Sequence, residues 1–417
     1  MKMRREILLA ALLGLAYLAA FAAFGPAYGL RMSVEALCYA LIALGLTVQW
    51  GYAGLFNAGV MGFIAIGAFA SMVVSFPVND RFWNSDMPER LAMVIGVAAA
   101  GGLLTWAIMR WMKKGRLRAL LALMSGAATW LAASSMLDPL ARDIEHKAGF
   151  IGGLGMPVLL GWAAAGAAAG LLAWAVGRVC LGLRSDYLAI ATLGIAEIIK
   201  ALLKNADWLT RGTLTVSPLP WPLPGAGEIG FIAARSAWLA LMAVMVVFSW
   251  WLMQRAWAAP WGRMMRAIRD NEAAAAAMGK DTTSRRLEIF ILGSVFIGVG
   301  GAALITFTGV FDPSGFLPLN HTFLVWVMII LGGAGNNSGA IFGALLVYVV
   351  WVMSEPAALL LFQGIESLAA NWPLIDLPDN LQSRALQARV FTIGLTITLV
   401  LRFAPDGLLP EKPPKAE

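Results

Sequence analysis

Glu197 is the ionisable residue that stands out most within the apolar segments of this sequence. It lies in the stretch 187–203, and Lys200 and Lys204 follow it on the same face of a helix. An ionisable side chain inside a membrane is costly and by default indicates function. Two interpretations stay open: Glu197 pairs with Lys200, or it lines a water-filled translocation pathway.

Two polar, glycine-rich segments interrupt the apolar sequence, one in each half of the chain, at residues 51–59 and 332–339. Glycine weakens a helix, and backbone groups freed within a membrane must be satisfied by protein or by a wet cavity. Broken segments in both halves indicate a pathway at their interface, whereas the alternative is a pair of tight turns at the cytoplasmic face. The predicted pathway residues are Asn57, Glu197, Asn336 and Asn337.

A polar loop runs from Gln254 to Leu287, and its segment Trp261–Gly279 is rich in strong helix formers. We predict a water-exposed helix there, ended by Gly279. Arginines recur at three-residue spacing, and an alanine run offers a smooth surface for a soluble partner. A solvated loop helix that only sets topology has the same composition. The residues assigned to a docking surface are Arg263, Arg266, Ala267, Asp270, Glu272, Ala273, Ala274 and Gly279.

Nucleotide hydrolysis by this chain is not expected. Gly279-Lys280 is followed by Asp281, and position 274 is alanine, so the phosphate-binding pattern Gly-x-x-x-x-Gly-Lys-Ser/Thr is absent. The sequence also contains neither a Gly-x-Ser-x-Gly nucleophile elbow nor a His-Glu-x-x-His pair. We predict a chain without catalytic residues and without a cofactor of its own.

Metal and nucleic-acid binding are equally unexpected. Cys38 and Cys180 lack the spacing of a metal site or a disulfide framework, and His146 and His321 lie far apart in the sequence. The net charge of +7 comes from positive residues in a few short loops between apolar segments. Such loops set membrane topology, so we predict a lipid bilayer, and no nucleic acid, as the environment.

The composition requires that bilayer, because 60% of the residues are hydrophobic, 13% are charged and the mean hydropathy is +0.75. Apolar stretches of about 18 residues or more, long enough to cross a hydrocarbon core, recur along the chain. Together they predict an all-α, polytopic transmembrane helical bundle of about 10–12 spans. The predicted spans are 7–24, 33–50, 58–76, 91–109, 119–137, 156–176, 187–203, 236–253, 288–311, 322–335, 339–360 and 388–402.

Charge bias predicts the orientation, because cytoplasmic loops carry the excess of Lys and Arg. The positive loop 110–118 and the loop 254–287 fall inside when the amino terminus is inside, and 79–90 and 138–147 fall outside. Twelve spans then place both termini in the cytoplasm. A ten-span arrangement around 91–137 preserves the same sidedness. The run Ile7–Phe24 is predicted to be an uncleaved first helix, with a cleaved signal peptide as the alternative.

Five stretches in this order resemble the LivM type of permease from branched-chain amino-acid ABC transporters: 44–70, 183–197, 262–279, 329–343 and 402–409. The resemblance covers roughly residues 35–410 and implies the fold of an ABC importer permease. Within it, the loop Asp270–Gly279 is similar to the EAA-type coupling loop, with Glu272, Ala273 and Ala274 matching. Its glycine lies one place later than in the general pattern.

The resemblance also implies partners and a location. It implies a second related permease subunit, two cytoplasmic ATPase subunits that hydrolyse ATP, and an extracytoplasmic solute-binding protein, assembled in a bacterial cell inner membrane. It leaves the solute open among branched-chain amino acids, other amino acids, urea and amides. The alternatives are a stand-alone secondary transporter or channel for a small polar solute and, more weakly, a scaffold or receptor.

The chain is expected to divide into an amino-terminal helix with its flank and one permease domain. The predicted boundaries are 1–34 for the amino-terminal part, 35–410 for the permease transmembrane domain, and 411–417 for a cytoplasmic tail. Within the permease domain, an extra hydrophobic insert is predicted near 77–156 and the coupling loop near 254–288.

Overall fold

The computed structural model describes residues 2–370 and 381–411, and the regular elements in these ranges are helices, apart from two isolated β-bridges. Residues 412–417 of the predicted tail lie outside the described residues. The helices of the first half are α1 Lys2–Phe24, α2 Pro26–Thr47, α3 Val60–Ser75, α4 Asp80–Trp83, α5 Met87–Trp111, α6 Arg116–Lys147, α7 Val158–Cys180 and α8 Ser185–Asn205. Those of the second half are α9 Asp207–Thr210, α10 Ala226–Ile229, α11 Phe231–Ala258, α12 Pro260–Asp270, α13 Glu272–Ala277, α14 Thr282–Thr308, α15 Leu324–Gly332, α16 Asn337–Ala370 and α17 Leu381–Phe403.

All twelve segments predicted as spans are helical. Eight helices among the described residues are long and apolar enough to cross a membrane: α1, α2, α5, α6, α7, α11, α14 and α16. Two of the remaining predicted spans are shorter apolar helices, α3 and the segment Leu319–Gly332 that contains α15. The last two predicted spans correspond to α8 and α17. The prediction of an all-α polytopic transmembrane bundle is therefore confirmed.

The core of the bundle forms around α2 and α14, which are the most buried of the long apolar helices. They approach so closely that a Cβ atom added to Gly45 would lie 2.5 Å from the carbonyl oxygen of Gly293. Helices α3 and α7 pack on the same side of α14, and α16 and α11 pack on α2. Small residues allow this approach because association within lipid depends on van der Waals packing.

Both predicted breaks are present. Helix α2 continues as a π-helical turn, Val48–Tyr52, and the chain then has no regular structure over 54–59 before α3 begins. In the second half, α15 ends at Gly332 and α16 begins at Asn337. The breaks lie against each other, because a Cβ atom added to Gly51 would lie 2.6 Å from the Cα atom of Gly335.

The predicted insert contains a helical hairpin, α5 and α6, that packs mainly on itself. Its remaining contacts are concentrated where α5 begins and α6 ends, against α4 and α9. There Arg90 Nη1 lies 2.8 Å from Asp143 Oδ2, and Asn79 Nδ2 donates to the carbonyl oxygen of Phe150 at 2.6 Å. The rest of the hairpin presents apolar side chains outward, including Trp130, which is 73% exposed. Such a surface matches lipid.

Candidate docking and transport site

The predicted loop helix is two helices rather than one, so the expectation of a continuous helix over Trp261–Gly279 is wrong. Helix α12 ends at Asp270, and α13 begins at Glu272. Asn271 lies between them with φ −156° and ψ 97°, and its Oδ1 accepts a hydrogen bond from the backbone N–H of Ala274 at 3.0 Å. An asparagine side chain competes for backbone N–H groups in this way and favours a helix start over a helix interior.

The end of the loop is as predicted. Helix α13 stops at Ala277, and Gly279 has φ 77°, a left-handed conformation that glycine adopts without steric cost. Asp281 then caps α14, because its Oδ1 accepts a hydrogen bond from the backbone N–H of Ser284 at 3.0 Å. The hydrogen bonds from Ser284 hold the pKa of Asp281 below its usual value, since they favour the ionised carboxylate.

The outward face of α12 and α13 is a shallow apolar groove of about 260 Å³, which we call the docking groove. Met278 at its rim is 81% exposed, an unusual environment for a large apolar side chain. Of the predicted docking residues, Ala267, Asp270 and Ala274 line the groove, whereas Arg263, Glu272, Ala273 and Gly279 are exposed outside the lining. The docking groove is lined by Met264, Ala267, Asp270, Asn271, Ala274, Ala275, Met278 and Lys280.

The inward face of α12 is anchored to the bundle. Met265 and Ile268 are buried, with 0% and 3% of their surfaces exposed. The guanidinium of Arg266 lies over the ring of Trp257, 4.5 Å from its centroid, so this predicted docking residue contacts α11 instead of facing outward. Helix α13 is tied down as well, because Arg286 Nη1 lies 2.8 Å from Glu272 Oε2.

Arg269 connects α12 to the first glycine break and to the carboxyl-terminal segment. Its Nη1 donates to the carbonyl oxygen of Gly51 at 2.5 Å and to Glu411 Oε2 at 3.0 Å. Such charge-assisted bonds are about twice as strong as neutral ones. Arg269 belongs to the arginines that recur at three-residue spacing in the loop, and that spacing gave no sign of these contacts.

The segment that follows α17, residues 404–411, folds against the second break, and we call it the C-terminal clasp. The backbone N–H of Leu409 donates to the carbonyl oxygen of Gly332 at 3.0 Å. In return, Asn336 Nδ2 donates to the carbonyl oxygen of Leu409 at 2.9 Å. Arg269, the two breaks and the clasp therefore form one contiguous cluster of contacts at the end of the bundle that carries α12 and α13.

A cavity of about 590 Å³, the inner cavity, lies in this cluster. Asn336 and Asn337 are both in its wall, and Asn337 Oδ1 also accepts a hydrogen bond from the Tyr52 hydroxyl at 2.9 Å. The structure thus brings together two of the four predicted pathway residues. The inner cavity is lined by Glu6, Ala10, Gln254, Trp257, Arg266, Gly335, Asn336, Asn337, Ser338, Ile341, Phe342, Leu345, Leu409 and Glu411.

Comparison with known proteins identifies the family. Residues 90–365 match the family model described as the permease component of the branched-chain amino acid transport system. The chain belongs to this permease family. No solved structure matches the permease significantly.

Curated relatives of the permease carry the same description. It is 25% identical over 349 residues to a probable branched-chain amino acid transport permease protein LivM of Methanocaldococcus jannaschii, covering 82% of this chain and 90% of that one. It is also 25% identical over 333 residues to the high-affinity LivM permease proteins of Salmonella typhimurium and Escherichia coli, covering 75% of this chain and 60% of each relative.

Asn57 is not in the wall of the inner cavity of the permease. It is completely buried, and its Nδ2 donates to Gln49 Oε1 at 2.8 Å while its carbonyl oxygen accepts from Trp326 Nε1 at 3.0 Å. Gln49 in turn donates to Ser294 Oγ at 2.9 Å, so the network joins the first break to α14 and α15. Satisfying buried polar groups in this way fixes the broken backbone in place. Its role in a pathway stays a prediction.

Glu197 is likewise separate from the inner cavity. Its Oε2 lies 3.9 Å from Lys200 Nζ, and its side chain is 48% exposed on α8. Ile190, two turns earlier on the same face, is 68% exposed. Both interpretations from the sequence therefore stay open, since the ion pair is present and the carboxylate also faces outward from the bundle.

Proposed function

We propose that this chain is the transmembrane permease subunit of an ATP-binding cassette importer that moves branched-chain or closely related amino acids. The observation that carries the proposal is the pairing of an exposed docking groove with an arginine, Arg269, that bonds directly to the glycine break at Gly51. A partner that seats in the groove would thereby act on the backbone beside the inner cavity. The permease family of the chain supports the same function.

The proposed assembly contains this chain, a second related permease, two cytoplasmic ATPase subunits that hydrolyse ATP, and an extracytoplasmic solute-binding protein. It is embedded in the bacterial inner membrane with both termini of this chain in the cytoplasm. The docking groove would receive one ATPase subunit. Alanine and methionine side chains suit this contact, because small residues allow close approach and methionine adapts its shape to a moving surface.

In the proposed mechanism, movement of the ATPase displaces α12 and α13 as a unit, because Glu272 is tied to Arg286 and Arg269 to Gly51. The displacement reaches both glycine breaks, since these lie against each other. Rearrangement there would open the inner cavity to one side of the membrane and close it to the other. The proposed route for the solute passes Asn336 and Asn337 in the wall of the inner cavity. Asn57 and Glu197, the other two predicted pathway residues, are proposed to act on this route from outside that cavity.

Selectivity in this scheme belongs mainly to the solute-binding protein. A permease site that bound the solute tightly would stabilise the bound state and slow release, and a ligand shifts a conformational equilibrium only through its different affinities for the two states. We therefore expect weak affinity along the pathway in this chain.

Purification in mild detergent, followed by reconstitution, tests the proposal. We expect an ATPase to co-purify with the chain and amino-acid uptake by the reconstituted complex to require ATP. Uptake that survives ATP depletion, from a chain that repeatedly purifies without an ATPase, would instead indicate a stand-alone secondary transporter or channel.

A further inference from the structure

A second cavity, of about 300 Å³, lies at the opposite end of the bundle from α12 and α13. Helix α14 connects the two ends: it begins beside α13 and ends at Thr308 in the wall of this cavity, after 27 residues. That length corresponds to roughly 40 Å, enough to cross a bilayer. We call it the outer cavity, and it is lined by Glu35, Tyr39, Leu304, Ile305, Thr308, Val310, Asp312, Gly315, Phe316, His321 and Tyr348.

The outer cavity has an acidic wall. Glu35 and Asp312 are both in the lining, and none of the described lining residues is a lysine or an arginine. Glu35 is only 8% exposed, and it accepts hydrogen bonds from the Tyr348 hydroxyl and from Arg31 Nε, the latter at 2.9 Å. Arg31 stands outside the lining with 58% of its side chain exposed, and its ion pair partly neutralises Glu35. Asp312 forms no ion pair with a residue that the structure describes, so it keeps its full negative charge in the wall.

Acceptor capacity remains on both carboxylates. An ionised carboxylate offers about four acceptor positions, whereas each oxygen of Glu35 accepts one hydrogen bond from the described residues. Asp312 uses Oδ1 for the backbone N–H and the hydroxyl of Ser314, at 2.8 Å and 2.5 Å. Its Oδ2 accepts no hydrogen bond from the residues that the structure describes.

Aromatic rings form the other walls. The rings of Tyr39 and Tyr348 stack with their centroids 5.2 Å apart, and Phe316 lies 5.5 Å from His321. Aromatic faces attract organic cations, and they do so more strongly when water is excluded. Carboxylates beside aromatic faces are the usual means of recognising an ammonium group.

The Tyr39 hydroxyl is an independent sign that this cavity can accommodate a polar group. Tyr39 lines the cavity and is only 6% exposed. Among the described residues, the only hydrogen-bond acceptor near its hydroxyl is the carbonyl oxygen of Asn320, at 3.5 Å. That distance is too long for a good O–H···O bond, which is about 2.7 Å. A buried hydroxyl left almost without a partner costs stability unless something else satisfies it.

We propose that the outer cavity binds the ammonium group of the transported solute, with Glu35 and Asp312 as its charged acceptors and Tyr39 and Tyr348 as its aromatic and hydroxyl contacts. The inference deepens the proposed transport function and rests on it for the identity of the solute. It gives the chain a first contact for amino acids at the end where the binding protein would deliver them.

Saturation-transfer NMR on the purified full-length chain in detergent detects weak binding of this kind. The probes are valinamide, which carries the ammonium group, and 3-methylbutanamide, in which hydrogen replaces that group. At pH 6 we expect a clear signal from valinamide and a much weaker one from 3-methylbutanamide. Equal signals from the two probes would overturn the proposal.

Variants locate the site. Asp312→Asn and Tyr39→Phe each remove one contact without touching the Glu35–Arg31 pair, so they avoid the risk that Glu35→Gln destabilises the fold. We expect each to lower the valinamide signal, Asp312→Asn by at least about fivefold, the order expected for losing a charge contact at a partly screened site. Glu145→Gln, an exposed carboxylate at the same end of the bundle, is the matched control and should leave the signal unchanged.

Uptake by the reconstituted complex separates this proposal from the transport function. Asp312→Asn should lower the rate of amino-acid uptake, and normal uptake despite lost valinamide binding would overturn the solute-site assignment alone. A wild-type chain that binds valinamide in this cavity, but forms no ATP-dependent importer, would overturn the proposed function and leave the ammonium site intact.

Discussion

Arg269 Nη1 lies 3.0 Å from Glu411 Oε2, and this ion pair joins α12 to the C-terminal clasp although 142 residues separate the two side chains. The same nitrogen donates to the carbonyl oxygen of Gly51. One side chain therefore bonds three segments: the docking helices, the first break and the clasp that holds the second break.

Replacing Arg269 with alanine should uncouple ATP hydrolysis from uptake while the protein still inserts and assembles. Hydrogen bonds to charged groups contribute about 1.5–3 kcal/mol each, so losing those to Gly51 and Glu411 removes the main polar link between α12 and the bundle. Uptake and ATPase rates of the reconstituted complex provide the measurement.

Glu411→Gln should have a smaller effect on coupling than Arg269→Ala, because the bond from Arg269 to Gly51 remains. The control is Arg116→Ala, since Arg116 is exposed at the start of α6 and has no assigned docking role. A Glu411→Gln defect as large as that of Arg269→Ala would contradict the role given to Gly51.

Filling the docking groove should also uncouple the complex. Ala274 lines the groove, so Ala274→Trp should displace the ATPase and reduce uptake strongly, with membrane insertion unchanged. Ala277→Trp adds the same bulk to an exposed position on α13 outside the lining and should have little effect. Co-purified ATPase, quantified for both variants, distinguishes loss of docking from loss of folding. Equal amounts in the two variants would remove the groove from the docking surface.

Glu272→Lys should lower uptake more than an ordinary surface substitution does. Glu272 pairs with Arg286 at 2.8 Å, so a lysine would place two positive charges together and loosen α13 from α14. The double variant Glu272→Lys with Arg286→Glu restores opposite charges and should recover part of the uptake. Lack of any recovery would mean that Glu272 acts through the partner rather than through Arg286.

Gly51 should not tolerate alanine. The added Cβ would lie 2.6 Å from the backbone of Gly335, and forcing extra volume into a packed interior typically costs about 1–3 kcal/mol. Gly51→Ala should therefore lower the thermal stability of the purified chain and abolish uptake. Gly102→Ala on α5 has open space around the new atom and should be neutral or slightly stabilising. A stable, active Gly51→Ala variant would show that the two breaks separate more easily than their contact indicates.

Orientation is tested with a reporter that is active only in the cytoplasm. Fusions after Arg118 or Lys280 should be active, and a fusion after Ile144 should be silent, because the positive loops are predicted to lie inside. A silent Lys280 fusion with an active Ile144 fusion would reverse the bundle and place the docking groove on the wrong side for an ATPase.

The sequence predicted the helices well because lipid imposes a length of about 20 apolar residues on each span. Gly279 was likewise predictable as a helix end, since its conformational freedom is a local property. Asn271 is local too, and its preference for helix starts could have revealed the break between α12 and α13. The contacts of Arg269 were not predictable, because Gly51 and Glu411 are distant in sequence and no local pattern around position 269 indicates them.

The same limit applies to the polar residues. Asn57, Glu197 and the pair Asn336 and Asn337 look equivalent as interruptions of apolar sequence. In the structure, Asn57 belongs to a buried hydrogen-bond network and Glu197 lies on an outward face of α8. Asn336 and Asn337 line the inner cavity. Glu35 was not singled out in the sequence, because an isolated carboxylate near the start of α2 belongs to no recognisable pattern. Only folding brings it into the same cavity wall as Asp312.

The hairpin of α5 and α6 is joined to the bundle mainly at one end, near Arg90 and Asp143. Because only that end is packed against the bundle, the rest of the hairpin can tilt while the packed end stays in place. In a bilayer that thins or thickens, such tilting would adjust the hydrophobic length of these two helices without strain in the interior around α2 and α14. The hairpin would then follow changes in bilayer thickness while the helices around α2 and α14 keep their packing.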